Sequence, residues 1–239
     1  VHWIDGDLLK ALEPDLIITQ ELCQVCAIGS GSVFETVGRY LNYMPEIISI
    51  RPASLDDIFA NITIIGQSAG VPERANALVS DLKQRVRVIT DDLKHVKERP
   101  KVFCIDWLDP LRNTGQWTPE LVELAGGVEG LAEKWGVSRE LSWHEVLEYD
   151  PDYIMVMPCA FNMERTIAET KKHMKANPSW SELDCVSKGN VFLFDGQIPS
   201  RHGPRVIDVL EGLAEAMHPE IFQGTSPEGV FLKPSWAIE

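Results

Sequence analysis

Cys23 and Cys26 stand two residues apart in the run QELCQVCAIGS (20–30), directly after an apolar stretch. That spacing is a common half-site for zinc and is also the spacing of a redox dithiol. At the start of a helix a thiol pKa falls, which favours the metal-binding thiolate. A structural zinc site needs four ligands, and no second Cys-x-x-Cys occurs in the chain. Cys159 in PCAF and His202 in SRHGPR are the candidates for a third and fourth ligand. The competing reading is that the two cysteines are small buried residues at a helix start. A thioredoxin-type enzyme would also place its pair after a strand, but nothing else in the chain fits that class. No nucleophile–base constellation is visible, and GSGS at 29–32 is too short for a phosphate-binding loop.

The composition narrows the classes. The chain has 239 residues, 44% of them apolar, a formal net charge of −14 and a pI near 4.9. It can bury a substantial core, and it has no basic face of the kind that binds nucleic acid. No stretch of about 18 apolar residues is present, so no membrane-spanning helix is expected. Five cysteines cannot all pair within one chain. Together with the lack of a visible signal peptide, this favours a cytoplasmic location, with the periplasm or cell surface as the alternative.

The elements that must position these residues repeat. DLLKALEPDLIITQ (7–20) reads as helix, Pro-Asp break, strand; HEVLEYDPDYIMVMP (144–158) reads the same way. Proline ends the helix and biases its neighbour to extended backbone. The apolar runs Leu16–Ile18 and Tyr153–Met157 then read as parallel strands buried on both faces. Downstream, strand 46–50 with helix 54–68 parallels strand 190–195 with helix 204–217. Between the halves, residues 72–98 carry Ala75, Leu78, Val79, Leu82, Val86, Ile89, Leu93 and Val96 at steps of three and four. These predict one amphipathic helix of about seven turns. The result is an α/β protein of two lobes, each with a parallel sheet flanked by helices, bridged by one long helix. The divisions fall at 1–70, 71–99 and 100–223, with a tail at 224–239. The second half opens with an extra strand and helix, KVFCIDWLDP and TPELVELAGG, that have no counterpart before Val1; the first lobe therefore reads as incomplete at its N-terminal side.

In this order, LEPDLIITQ, the bridging helix, GQWTPELVELAGG, DPDYIMVMP and VFLFDG…GPRVIDVLEGLAEAMHP resemble the substrate-binding proteins of ABC importers for cobalamin, haem and iron-siderophores. TQELCQVCA, WLDP and PCAF are similar to a branch labelled cobalamin-binding proteins. The resemblance implies a monomeric, non-enzymatic binding protein that needs no cofactor and holds cobalamin or a related metal-tetrapyrrole between two lobes, with an ABC permease as partner. It also implies that an acidic residue of each lobe, Glu73 or Asp56 and Glu164, meets that permease. The alternatives are a haem or iron-siderophore binder of the same fold, and an intracellular metal-binding protein or enzyme with zinc on Cys23, Cys26 and Cys159.

Ligands of open α/β sheets bind beyond the carboxyl ends of the strands. The candidates there are Gln20 after the first strand, Trp107, Asp109, Gln116 and Trp117 after 102–106, Phe161 after 153–157, and Ser200 and Arg201 after 191–194. Trp107 and Trp117 supply flat apolar walls suited to a corrin or porphyrin, with Phe161 in a similar place. Arg201 suits a propionate, phosphate or amide oxygen, and His202 is a candidate axial ligand to cobalt or iron. Against each stands the simpler role of packing or solvent exposure.

Overall fold

The computed structural model describes residues 3–21 and 30–238. The chain divides into two compact units, Val1–Val79 and Ser80–Glu239, and the division falls inside one helix.

The first unit contains α1 (Gly6–Leu12), β1 (Leu16–Gln20), α2 (Ser30–Tyr40), β2 (Glu46–Ile50), α3 (Leu55–Ser68) and the start of α4 (Pro72–Asp92). β1 and β2 pair in parallel, Leu16 opposite Glu46 through Gln20 opposite Ile50. α3 begins at a capping box: the Ser54 hydroxyl accepts from the Asp57 amide, and the Asp57 carboxylate accepts from the Ser54 amide. At Gly66 a Cβ would lie 2.2 Å from the Ala75 Cβ, so only glycine lets α3 and α4 approach there.

The second unit is larger. After the rest of α4 come β3 (Lys101–Leu108), β4 (Leu111–Asn113), α5 (Thr118–Leu124), β5 (Val128–Glu129), α6 (Trp143–Tyr149), β6 (Tyr153–Val156), α7 (Met163–Ala176), α8 (Asp184–Ser187), β7 (Val191–Phe194), α9 (Val206–Met217), α10 (Pro219–Phe222) and β8 (Phe231–Leu232). The sheet order is β4-β3-β6-β7-β8, with β5 also on β3. β3, β6 and β7 are parallel; β4 and β8 are antiparallel at the two edges. Because helices return the chain between the parallel strands, the carboxyl ends of β3, β6 and β7 share one edge. Trp180, Leu183, Val146 and the apolar side of α7 pack on one face with Phe103, Ile105 and Ile154.

The repeated Pro-Asp device is local chemistry. Glu13 and Asp150 each close a helix in the left-handed conformation, at φ 44° and 49°, and a proline follows each. In the second copy the Asp152 carboxylate accepts the Lys101 amide at 2.8 Å, which ties β6 to the start of β3.

Two expectations change. The long helix stops at Asp92 rather than at 98, and one 3₁₀ turn, Leu93–His95, follows. Leu93 turns into the core, and Pro100 keeps Arg99 extended. Burial on both faces holds for β6 but not for β1, where Ile18 is 46% exposed. β6 lies between β3 and β7, whereas β1 pairs only with β2 among the described residues.

Candidate ligand-binding site

Three connections of the second unit meet at the carboxyl edge of its sheet. Backbone hydrogen bonds place the turn after β6 against the end of β3: the Met157 amide donates to Ile105 and the Cys159 amide to Asp106, at 2.9 and 3.0 Å. The loop after β7 is pressed onto the same turn. A Cβ on Gly196 would lie 1.9 Å from the Pro158 carbonyl oxygen, so that approach needs glycine. Ser200 completes the junction: its hydroxyl donates to the Gly196 carbonyl at 2.6 Å and accepts from the Ala160 amide at 3.4 Å.

On this frame Trp107, half-buried, packs in a T-shaped contact on Phe161, which is 6% exposed, with ring centroids 5.1 Å apart and planes at 67°. The Trp107 indole N–H donates to the Asp109 carbonyl at 3.0 Å, which fixes the ring, and the Asp109 carboxylate is exposed. The Arg165 guanidinium lies over the other aromatic ring, 3.7 Å from the Phe161 centroid. Asn162 caps α7 through the Arg165 amide at 3.0 Å, so the first turn that carries Arg165 is itself anchored.

Trp117 has a different place from Trp107. It is 2% exposed, and its N–H donates to the Pro199 carbonyl at 3.0 Å. It therefore fastens the loop after β7 rather than presenting a face to a ligand. His202 stands edge-on to it at 6.2 Å, and burial pushes the imidazole pKa below its ordinary value. Gln116 is half-buried in the left-handed conformation at φ 55°, with its amide donating to the Gly136 carbonyl at 2.6 Å. Arg201 is exposed. Gln20 is half-buried at the end of β1 in the first unit.

Asp106, at the end of β3, was not singled out from sequence. Burial pushes its carboxyl up to about 6, against the pull of a Ser138 hydrogen bond and the nearby Arg112 charge. Arg112 in turn donates to the Ser138 carbonyl at 2.8 Å. Arg165 was also missed. Its signal was present as the i, i+4 spacing from Phe161 across a helix start.

Cys23 and Cys26 lie outside the described residues. Cys159 is half-buried on the rim. Among the described residues no group of three or more His, Cys, Asp or Glu could hold a metal ion. The proposed zinc on cysteine ligands therefore has no support from Cys159 or His202. No helix of the described residues is long and apolar enough to cross a membrane.

Residues 4–198 match the family model described as periplasmic binding protein. The chain belongs to the periplasmic binding protein family. As a family member it is a binding protein and not an enzyme. An uncharacterized ABC transporter substrate-binding lipoprotein YvrC of Bacillus subtilis (strain 168) is 23% identical over 226 residues, covering 92% of this chain and 67% of that one. Among solved structures, the periplasmic vitamin B12 binding protein BtuF of Vibrio cholerae is similar with a TM-score of 0.67 and 22% identity, covering 91% of this chain and 78% of that one. A periplasmic heme binding protein from Pseudomonas aeruginosa is similar with a TM-score of 0.72 and 20% identity, covering 92% and 77%. These likenesses establish the fold.

Family membership corrects the expected location. The cytoplasmic preference is overturned by a match to periplasmic binding proteins and by a relative that is a lipoprotein. An odd number of thiols does not by itself place a chain in a reducing compartment. Cys104 and Cys185 are buried and carry no disulfide, and burial raises both thiol pKa values. Such thiols are inert in an oxidising compartment.

Proposed function

We propose that this periplasmic binding protein is the substrate-binding component of an ABC importer, acting outside the cytoplasm, and that it holds cobalamin or a related metal-tetrapyrrole at the carboxyl ends of β3, β6 and β7. The observation that carries the ligand class is the Trp107–Phe161 pair, edge to face at 5.1 Å on a rim fixed by backbone hydrogen bonds. A large planar ligand gains most from rigid aromatic surface, which costs little conformational entropy to present. Trp107 supplies that surface, and Phe161, 6% exposed with Arg165 over its ring, backs it. Asp109 and Arg201 supply polar groups at its margin, and Ser200 and Trp117 hold the loop that carries Arg201. The vitamin B12 and heme binding relatives of the same fold support a tetrapyrrole.

A haem ligand is the second reading. The exposed guanidinium of Arg201 and the stacked one of Arg165 suit two propionates.

Calorimetric and visible-absorbance titrations with cobalamin, haemin and a ferric siderophore decide between them. Cobalamin is expected to bind at about micromolar or tighter, near −8 kcal/mol. Binding of haemin or the siderophore alone overturns cobalamin and leaves the importer role standing.

A further inference from the structure

A groove of about 240 Å³ opens beside the aromatic pair, between the end of β3 and the flank of α7. Trp107, Asp109, Phe161, Arg165, Lys172 and His173 line it. It shares Trp107 and Phe161 with the proposed ligand rim and runs along α7 from its first turn. Its volume is below the roughly 300–1,000 Å³ of a complete small-molecule site. It is too small for a macrocycle and large enough for one fused ring system.

The charges in the groove are uneven. Lys172 is paired with Glu169 at 3.6 Å. The His173 Nδ1 accepts from the Trp180 indole N–H at 3.0 Å, and burial pushes the imidazole pKa down; both favour the uncharged ring. Arg165 has no acidic partner among the described residues; its guanidinium rests on the Phe161 ring. An arginine without an ion pair, beside the half-buried ring of Trp107, suits a flat heteroaromatic ring that carries a single negative charge. The exposed Asp109 carboxylate at the mouth suits amide N–H donors on the ligand body.

We propose that this groove is a side pocket for an anionic aromatic appendage of the ligand: a heteroaromatic ring joined to the macrocycle through a phosphodiester, with Arg165 on the phosphate and Trp107 against the ring. The proposal rests on the corrinoid reading above and deepens it. Arg165 then sets specificity between complete and truncated corrinoids, and the bare macrocycle gains nothing from it.

The test titrates the wild-type chain, Arg165→Ala and Arg165→Lys with cobalamin and with cobinamide, which has the same macrocycle without the nucleotide arm. Arg165 is exposed, so the variants keep their fold; their unfolding midpoints check this. The wild type is expected to favour cobalamin by roughly ten- to a hundredfold, the scale of one charge-assisted hydrogen bond. Arg165→Ala should shrink that preference to within about threefold by weakening cobalamin alone, and Arg165→Lys should fall between. Equal binding of the two corrinoids by the wild type, or a preference that survives in Arg165→Ala, overturns the side pocket while the corrinoid reading stands. Failure of the wild type to bind either corrinoid overturns both.

Discussion

The indole N–H of Trp117 donates to the carbonyl oxygen of Pro199, 82 positions away in sequence, at 3.0 Å. Both groups are buried, so the bond ties the start of α5 to the loop that carries Ser200, Arg201 and His202. Trp117→Phe keeps most of the volume and leaves the Pro199 carbonyl without its donor. The expected loss of stability is about 1–3 kcal/mol, read by urea unfolding. Hydrogen exchange should show the hydrogen-bonded Arg201 and Gly203 amides losing protection beyond that global loss. A variant as stable as the wild type would remove Trp117 as the fastener of this loop.

Two half-buried carboxyls give stability a particular pH dependence. Burial pushes Asp106 up to about 6 from 3.8, and Glu129 up to about 7 from 4.5. Glu129 accepts the Cys104 and Leu131 amides at 2.6 and 3.0 Å, but desolvation outweighs them. The native chain therefore holds protons that the unfolded chain has already released. Stability from these groups is full below about pH 4 and is lost as pH rises through 6 and 7. For Asp106 the loss is at most about 3 kcal/mol, at 1.36 kcal/mol per unit. Unfolding free energies from pH 4 to 8 should show this decline, and Asp106→Asn and Glu129→Gln should each flatten part of it. A variant that keeps the full slope shows that its carboxyl is not the one titrating.

How far the sequence foretold these arrangements depends on how local their causes are. The helix, Pro-Asp, strand unit was legible because proline and a left-handed residue act within a few positions, as Glu13 and Asp150 do. The parallel order of the second sheet followed from alternating strands and helices. The end of α4 was not legible, since Leu93 and Val96 both continue the stripe although the helix tightens to a 3₁₀ turn at Leu93 and the backbone is extended at Val96. The roles of the two tryptophans were also hidden. Trp107 and Trp117 both follow a strand end in sequence, yet one lies on the rim and the other is buried, because a carbonyl far along the chain captures the second. Cys23 and Cys26, the most conspicuous pair in the sequence, fall outside the described residues.

Arg85 anchors the second half of α4 onto α9. Its guanidinium meets Asp208 at 2.7 Å and Glu211 at 2.6 Å, with a further bond from Nε to Glu211 at 2.8 Å. The arginine side chain is 30% exposed and the acids 16% and 14%, so solvent screens the cluster only in part. Arg85→Ala leaves two half-buried carboxylates side by side without their cation. The expected cost is about 1–2 kcal/mol, between the values for exposed and fully buried pairs. Arg85→Lys should recover less than half, because an ammonium cannot reproduce the forked contact. Chemical denaturation of the three proteins measures this, and full recovery by lysine would show that charge alone matters.

Trp107 separates ligand binding from folding more cleanly than any other candidate. It is half-buried, its N–H partner is a carbonyl two residues away, and it packs from outside on the buried Phe161. Trp107→Ala should therefore cost little stability, about 1 kcal/mol or less beyond the lost aromatic contact. If the ring is a wall for a planar ligand, the same change should weaken cobalamin by roughly ten- to a hundredfold, because an aromatic anchor at the centre of a contact carries a large share of the binding energy. Phe161→Leu keeps most of the apolar volume but removes the ring on which Trp107 packs, and should weaken binding less. Titrations of both variants beside their unfolding curves read the two effects separately. A Trp107→Ala protein that binds cobalamin as tightly as the wild type would move the ligand away from this rim, whatever the ligand is.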